Sequence, residues 1–189
     1  YHDIGFQVMT GWSDIPDILF SKDLKIYSYS MPIPVTKSDD HDLSRLRAGR
    51  MIYEWIAMAE NDLVLDAAYF TLIAKTDIAN FYSSIYTHSI AWAIEGREDA
   101  FADKDFKLIG NQIDRLIQYA NDARTNGIPV GSALSDLISE IVLSVVDAKV
   151  SRRLKDLDFV AVRFKDDYRI LCQSEGDAKH ILKVLAREL

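Results

Sequence analysis

Three aspartates stand where a folded chain could bring carboxylates together. Asp77 follows an apolar run that is typical of a short buried strand, and Asp166 and Asp167 lie between two β-rich segments that predict a hairpin. Neighbouring strands lie about 4.8 Å apart, so the carboxylates would converge if these strands are neighbours. Carboxylates this close repel one another and need a cation, for which hard divalent ions, magnesium above all, are suited.

Each aspartate also has an ordinary interpretation. Asp-Asp is common in hairpin turns because aspartate tolerates turn geometry, and Asp77 could cap the segment that follows its strand. The types and positions of the three acids therefore permit a metal site and do not require one.

A glycine-containing loop leads into the clearest helix of the sequence. Residues 127–132 read Gly-Ile-Pro-Val-Gly-Ser, and an apolar stripe from Leu134 to Val146 follows, with Ser132 as a natural N-cap. Helix N-termini carry unsatisfied N–H groups, and glycines let a ligand approach the backbone. The loop is either a ligand-facing segment or an ordinary turn and cap.

The remaining pattern predicts one α+β domain with a strand before Asp77 and a terminal hairpin and helix. The first thirty residues show no clear pattern. Further predicted elements are an extended segment at 31–35, helices at Leu43–Asn61, at His88–Ile94 with Thr87 as cap, at Asp103–Ala123 and at Asp177–Glu188, and strands at Thr71–Asp77, Phe159–Phe164 and Tyr168–Cys172.

Composition sets limits on function. The net charge is −7, which argues against a nucleic-acid-binding surface, since such surfaces normally carry excess Lys and Arg. We find no apolar run of the roughly 18 residues that a membrane helix needs, and no signal peptide at the start of the sequence. These features predict a globular protein without a membrane association.

Cysteine and histidine are sparse. Cys172 is the only cysteine, which excludes an intrachain disulfide and is typical of a reducing cytoplasm. His88 and His180 lie in predicted helices without metal-ligand residues nearby, so we interpret both as structural or surface residues.

Three segments, taken in order, resemble motifs A, B and C of reverse transcriptases. They are Asp77–Ile85, Gly127–Ser135 and the aromatic-x-Asp-Asp box Phe164–Asp167. The flanking residues 76–94 and 126–143 are similar to bacterial reverse transcriptases of the abortive-infection and related phage-defence groups.

The resemblance implies a fold and a domain organisation. We expect a polymerase palm, an antiparallel sheet with packed helices, over residues 71–189 as a single compact unit, and part of the fingers over residues 1–70. The segment 168–189 is too short for a thumb, so the chain is expected to be a fragment. A missing basic thumb would also explain the acidity.

The resemblance also implies a metal site and a reaction. Asp77 and Asp166 would be the principal ligands of two magnesium ions, with manganese as a substitute, Asp167 would be more peripheral, and the Ile78 carbonyl would complete one coordination sphere. The implied chemistry is in-line attack of a primer 3′-hydroxyl on the α-phosphate of a deoxynucleotide, with pyrophosphate leaving between the ions.

Nucleotide-facing residues follow from the same resemblance. Tyr82 matches the position whose ring excludes a ribose 2′-hydroxyl, and Phe81 beside it is expected to serve core packing in the main. The loop with Gly127, Gly131 and Ser132 would lie against the incoming nucleotide and template.

Basic residues before motif A match the fingers positions that grip the triphosphate. Lys37 and Arg50 are the first choices, ahead of Arg45 and Arg47. The arginines could equally form the solvated face of a helix that also carries acidic residues.

The chain departs from the pattern at three positions. Val130 replaces a common glutamine, Asp136 replaces a common proline, and Phe164 replaces tyrosine. None of these is a metal ligand, so the implied polymerase chemistry is retained while substrate handling is expected to differ.

The implied partners are deoxynucleotides and a primer and template of RNA and DNA, with a homo-oligomer as a further expectation. Two alternatives stay open. One is a palm-fold nucleotide cyclase, in which the glycine loop and Tyr82 would have no role, and the other is a non-catalytic member that binds nucleic acid or assembles.

Overall fold

A computed structural model describes residues 1–21, 24–30 and 68–189. Contacts within the chain divide it into two compact units. We call Tyr1–Asp23 with Ile78–Ala148 the helical unit, and Leu24–Asp77 with Lys149–Leu189 the sheet unit. The predicted helix Leu43–Asn61 and the extended segment 31–35 lie outside the described residues.

The helical unit contains six helices and most of a seventh. They are α1 His2–Thr10, α2 Ile15–Leu19, α3 Phe81–Ser84, α4 His88–Glu95, α5 Arg97–Ala102, α6 Ile109–Ala120 and α7 Ala133–Arg153, whose last residues belong to the sheet unit. Apolar side chains on α1, α4 and α6 are buried together with part of α7, among them Ile4, Val8, Ile90, Ile113, Ile117, Ile138 and Ile141.

Helices α4 and α6 approach each other closely at a glycine. A Cβ atom on Gly110 would lie 2.9 Å from the Cα atom of Ala91, which is closer than side-chain carbons come in folded proteins. Only glycine therefore permits this packing distance. The contact also brings together the residues one turn away on each helix.

One predicted helix is shorter in the structure than expected, at both of its ends. The predicted helix Asp103–Ala123 begins at Ile109, because the carboxylate of Asp103 accepts the backbone N–H groups of Lys107 and Leu108 and holds the preceding loop. It ends at Ala120, after which Asp122 and Ala123 adopt positive φ. Helix α5, which precedes this loop, was not predicted.

The helix capped by Thr87 in the prediction begins at His88 as expected, but the threonine hydroxyl makes no capping bond. Thr87 is fully buried and its Oγ1 has no hydrogen-bond partner. Ser132, in contrast, caps α7 as predicted, with its Oγ accepting the N–H of Ser135 at 3.0 Å.

The described residues of the sheet unit form four strands in the order β1-β3-β4-β2. The elements are β1 Ile26–Ser28, β2 Leu72–Thr76, β3 Phe159–Phe164, β4 Asp167–Cys172 and the helix α8 Glu175–Glu188, which packs on β4. Strands β2, β4 and β3 are antiparallel, whereas β1 pairs parallel with β3. The prediction of an antiparallel sheet therefore holds for three strands and is wrong for the fourth.

Strand β2 was expected to be buried and is not. Among the described strands it lies at the edge of the sheet, with β4 beside it, and its residues alternate between half-buried and exposed, with Ile73 45% exposed. The buried strands are the two central ones, β3 and β4.

Helix α8 begins two residues earlier than predicted, at Glu175. Ser174 is its N-cap, and the Ser174 Oγ accepts the N–H of Asp177 at 3.1 Å. The apolar spacing of this helix predicts Ala178, Ile181, Leu182 and Leu185 on its inner face. Ala178, Ile181 and Leu185 are buried as predicted, whereas Leu182 is only half-buried and Val184 is buried in addition.

The described residues form eight helices and one four-stranded sheet, so the α+β prediction is confirmed. The predicted boundary at residue 70, between fingers and palm, stays a prediction. The sheet nevertheless includes β1, which precedes residue 70 in the sequence. Of the helices in the described ranges, none combines the length and apolar character needed to cross a bilayer.

Candidate active site

Asp77 and Asp167 lie at the same end of two neighbouring strands. β2 and β4 pair antiparallel with Thr76 opposite Tyr168, and the next position in this register sets Asp77 opposite Asp167. Residues directly opposite on antiparallel strands share a face, with Cβ atoms about 4.5–5.5 Å apart. Both aspartates line one cavity of about 240 Å³ within the sheet unit.

Two cations line the same cavity. Lys75 precedes Asp77 by two residues, Arg169 follows Asp167 by two residues, and the two basic residues pair with each other across the strands. Side chains two residues apart on a strand point to the same face of the sheet. The cavity thus combines two carboxylates with two basic side chains. This pairing suits a ligand that carries both metal-bound and free phosphate oxygens.

The donor set fits a magnesium ion of the kind that works with phosphates. Magnesium is usually held by one or two carboxylates, several waters and substrate phosphates, and the exposed Asp77 and Asp167 carboxylates supply such a pair. Three or more His, Cys, Asp or Glu side chains arranged to hold a metal ion do not occur in the part of the chain that the structure describes.

Asp166 occupies a different position from its neighbour. Phe164 pairs with Asp167, so the hairpin loop consists of Lys165 and Asp166 alone, and Asp166 does not line the cavity described above. The predicted hairpin is confirmed, but its turn is shorter than expected, because Asp167 is the first residue of β4 and not a turn residue. The structure places Asp77 and Asp167 on one cavity, and Asp166 precedes Asp167 in the adjoining turn.

The hairpin loop is held through its backbone. Lys165 adopts a φ of +54°, and a positive φ at the first loop residue alone is the mark of a type II′ turn, where glycine is usual. The Lys165 N–H donates to Ser30 Oγ at 3.0 Å, and Arg163 Nη1 donates to the Lys165 carbonyl at 3.1 Å. Ser30 and Arg163 are both buried, so hydrogen bonds to buried side chains hold the loop in this conformation.

The residues after Asp77 turn immediately into a short helix. Ile78 is half-buried, Asn80 takes a left-handed φ of 53° as the N-cap of α3, and Phe81 is buried. Tyr82 is half-buried, and its ring meets that of Phe81 edge to face with centroids 4.9 Å apart. Phe81 therefore serves core packing as expected, and it supports the Tyr82 ring.

Backbone hydrogen bonds tie this segment to the glycine loop. The N–H of Gly127 donates to the Ile85 carbonyl and that of Ile128 to the Tyr82 carbonyl, both at 2.8 Å. Residues 78–85 and the glycine loop are thus connected within the helical unit. A displacement of the loop would therefore shift the backbone of Tyr82.

The two glycines of the loop are required for different reasons. Gly127 has a φ of +93°, and a Cβ there would lie 3.3 Å from the Ser83 carbonyl oxygen. Gly131 has a φ of +98° with open space around it, so only its backbone conformation demands glycine. Ser132 follows as the cap of α7, and the exposed Val130 lies between the glycines.

Asp136 holds the hydroxyl of Tyr82. The Tyr82 Oη donates a hydrogen bond to Asp136 Oδ1, which lies in the first turn of α7. Burial, followed by this hydrogen bond, raises the pKa of Tyr82 well above its ordinary value. The hydroxyl therefore remains a donor over the whole physiological range.

The sequence prediction did not identify this partner, although a signal was present. Asp136 was noted only as a departure from the common proline. The side chain of a proline has no atom that could accept a hydrogen bond. An aspartate at that position therefore indicates an additional polar contact. His88 is a second omission, since it pairs with the buried Asp114 instead of standing alone.

The predicted triphosphate-gripping residues Lys37 and Arg50, with Arg45 and Arg47, lie outside the described residues.

A family model described as "Reverse transcriptase (RNA-dependent DNA polymerase)" matches residues 16–189. The match includes every described residue of the candidate site. No curated protein matches the chain.

Proposed function

Since the chain belongs to the reverse transcriptase family, we propose that it is an RNA-directed DNA polymerase palm that transfers nucleotides from deoxynucleoside triphosphates. The observation that carries the proposal is the placement of Asp77 and Asp167 on one cavity at the end of two paired strands. Asp166, in the adjoining turn, would complete the acidic group.

Asp77, Asp166 and Asp167, with the backbone carbonyl of Ile78, would hold the magnesium ions, and manganese would be a substitute. When bound, the ions supply Lewis-acid stabilisation of the phosphate oxygens and lower the pKa of the attacking hydroxyl. The carboxylates of the chain provide the oxygen ligands that such ions prefer.

Lys75 and Arg169 would bind phosphate oxygens of the nucleotide. Both line the cavity with the aspartates, and cationic groups near a polyphosphate stabilise the negative charge that grows on the leaving group. These residues act by position and charge and take no part in bond formation.

The reaction is one displacement at phosphorus. The 3′-oxygen of the primer forms a bond to the α-phosphorus, the bond from that phosphorus to the bridging oxygen breaks, and pyrophosphate leaves with its electron pair. The proton of the 3′-hydroxyl passes to solvent. The role of the protein is to align the attacking and leaving oxygens and to stabilise charge.

Tyr82 would select deoxynucleotides by occupying the space of a ribose 2′-hydroxyl. Two observations support this assignment: Phe81 packs against its ring, and Asp136 holds its hydroxyl. The loop with Gly127, Gly131 and Ser132 would approach the nucleotide and template through its backbone.

The biological setting belongs to the same proposal. The similarity of residues 76–94 and 126–143 to bacterial phage-defence enzymes supports a role in antiviral defence in the cytoplasm, with a primer and template of nucleic acid. A homo-oligomer is a further part of this proposal, as is the identification of residues 71–189 as palm and of the preceding residues as fingers.

Magnesium-dependent incorporation tests the proposal. The protein is incubated with labelled deoxynucleotides, magnesium and a primed RNA template, beside an Asp166→Ala/Asp167→Ala variant and a sample with excess chelator. We expect labelled polymer from the unaltered protein alone. Equal incorporation by both proteins would end the catalytic assignment and favour a non-catalytic member, whereas a cyclised mononucleotide product would favour the cyclase.

A further inference from the structure

A large cavity of the helical unit is lined by none of the residues assigned to catalysis. It encloses about 1180 Å³ and is formed by α4, α5 and α6 with the segments that flank them. Its wall carries five aromatic residues other than histidine, namely Tyr86, Trp92, Phe101, Phe106 and Tyr119. Four of these are exposed, Phe101 to 76% and Tyr119 to 64%.

Three cations on the wall lie over these rings. The distances to the ring centroids are 3.9 Å from Lys104 Nζ to Phe101, 4.8 Å from Arg115 Cζ to Phe106 and 5.1 Å from Arg97 Cζ to Trp92. Within the described ranges, none of the three forms an ion pair with an acidic residue. Their positive charge is therefore available to a ligand.

Two of the three acidic residues on the wall are already satisfied by the protein. Asp103 accepts the backbone N–H groups of Lys107 and Leu108 and the side-chain amide of Asn111, at 2.8–3.0 Å. The backbone hydrogen bond from Leu108, foremost, lowers the pKa of Asp103. These donors stabilise the ionised carboxylate of Asp103, whose oxygens are therefore already hydrogen-bonded within the protein.

Asp114 is satisfied in the same way and orients a histidine. It is 4% exposed, its Oδ1 accepts Gln118 Nε2 at 2.7 Å, and its Oδ2 lies 2.5 Å from His88 Nδ1. This contact fixes the imidazole ring with Nδ1 toward the carboxylate. The half-buried His88 side chain therefore presents Nε2 as a hydrogen-bonding group at the cavity wall.

These features together describe the ligand. Exposed rings provide stacking surfaces, cations without ion pairs attract negative charge, and oriented polar groups such as His88 can read the edge of a base. Sites for single-stranded nucleic acid combine aromatic stacking with cationic side chains in this way. The cavity also exceeds the roughly 300–1,000 Å³ of a site for one small molecule.

We propose that this aromatic cavity binds a single-stranded nucleic-acid segment, with bases stacked on Phe101, Phe106 and Tyr119 and phosphates on Lys104 and Arg115. A proline-rich peptide would use the rings but would leave the cations without a function. The proposal shares no residue with the catalytic assignment and does not depend on it.

Binding of a labelled single-stranded oligonucleotide, followed by fluorescence anisotropy with the metal chelated, tests the proposal. The test variant is Phe101→Ala/Arg115→Ala, and the matched control is Phe6→Ala/Arg187→Ala, which removes an exposed ring and an arginine elsewhere. We expect binding by the test variant to be at least about tenfold weaker, because stacking contributes about that factor per base. The control should bind like the unaltered protein.

Salt and competitors distinguish the sources of binding. Loss of Arg115 should lower the slope of log affinity against log salt by roughly one. Equal affinity of test and control variants would overturn the proposal, as would a duplex binding as tightly as the single strand. Competition by a mononucleotide at the same nucleotide concentration would overturn the assignment to a polymer.

Crosslinking keeps the test independent of variant folding. An oligonucleotide carrying 5-iodouridine, irradiated with the unaltered protein, should give crosslinked peptides containing Phe101, Phe106 or Tyr119. Crosslinks found only outside residues 86–123 would contradict the proposal. The Asp166→Ala/Asp167→Ala variant should crosslink normally, so a chain without polymerase activity can still confirm this site.

Discussion

The hydroxyl of Tyr82 donates a hydrogen bond to the carboxylate of Asp136, which joins α3 to the first turn of α7. The same two segments are connected by the backbone bond from Ile128 to the Tyr82 carbonyl. The tyrosine ring is therefore held at its hydroxyl, at its backbone and, through Phe81, at its face. A residue that selects substrates by shape requires such support.

Asp136 should act on nucleotide selection through Tyr82. Removing the acceptor in Asp136→Ala frees the ring, so discrimination between a deoxynucleotide and its ribonucleotide should fall by about tenfold or more, as a charged hydrogen bond of about 1.5–3 kcal/mol is lost. The measurement is the ratio of kcat/KM for the two nucleotides.

Two comparisons make this result specific. Asp136→Asn retains an acceptor oxygen and should restore part of the selectivity, while Asp17→Ala, at an exposed position of α2, should change nothing. Tyr82→Ala removes the ring and should relax selectivity further. A normal ratio in Asp136→Ala beside a relaxed ratio in Tyr82→Ala would show that the hydrogen bond has no part in selection.

The raised pKa of Tyr82 should make unfolding depend on alkaline pH. Burial and the bond to Asp136 raise the pKa in the folded chain, whereas the unfolded side chain titrates near its ordinary value of 10.0. Above that pH the unfolded chain has lost a proton that the folded chain retains, so the free energy of unfolding falls as pH rises. Below it, the contribution is fully present.

Urea unfolding at several pH values from 9 upward measures this effect. Tyr82→Phe lacks the titrating group, so its free energy of unfolding should decline less steeply above about pH 10 than that of the unaltered protein. Tyr27→Phe, which removes the hydroxyl of an exposed ring, is the control. Parallel declines for Tyr82→Phe and the unaltered protein would contradict the assigned shift.

The hairpin beside Asp166 should be more stable with glycine at its first loop position. Lys165 adopts a φ of +54°, where any residue with a Cβ is strained. Lys165→Gly should therefore exceed Lys165→Ala in stability by about 1 kcal/mol, since alanine keeps the strain and loses only the long side chain. Thermal or urea unfolding of the two variants measures this difference in stability. An alanine variant as stable as the glycine variant would exclude strain at this turn.

The predictable parts of the fold are those with a long or repeated local signal. The apolar stripe of α7 spans several turns and locates the start of that helix, although the helix continues seven residues beyond Val146 to Arg153. The β-rich segments of β3 and β4 are separated by one turn, and both strands are located to within one residue. Strand β1 has only three residues and pairs with β3, which is far away in the sequence. Nothing in its own residues indicates that pairing.

The candidate site shows the same limit. The positions of Asp77, Asp166 and Asp167 in the chain could be identified, but the choice of Asp167 as the cavity partner of Asp77 depends on the register of β2 and β4. Register is a property of two strands and their turn, and a single strand does not reveal it. The partnership of His88 with Asp114 likewise depends on how closely α4 and α6 pack.

The central claim is that the aspartates beside the β2–β4 edge perform magnesium-dependent nucleotide transfer. The most direct test is incorporation of labelled deoxynucleotides by Asp77→Asn, measured beside the unaltered protein and Asp156→Asn, an exposed aspartate of the same unit. The amide keeps the shape and removes the charge, so we predict a loss of at least about a hundredfold in Asp77→Asn and normal incorporation in Asp156→Asn. Incorporation by Asp77→Asn equal to that of the unaltered protein would contradict the account.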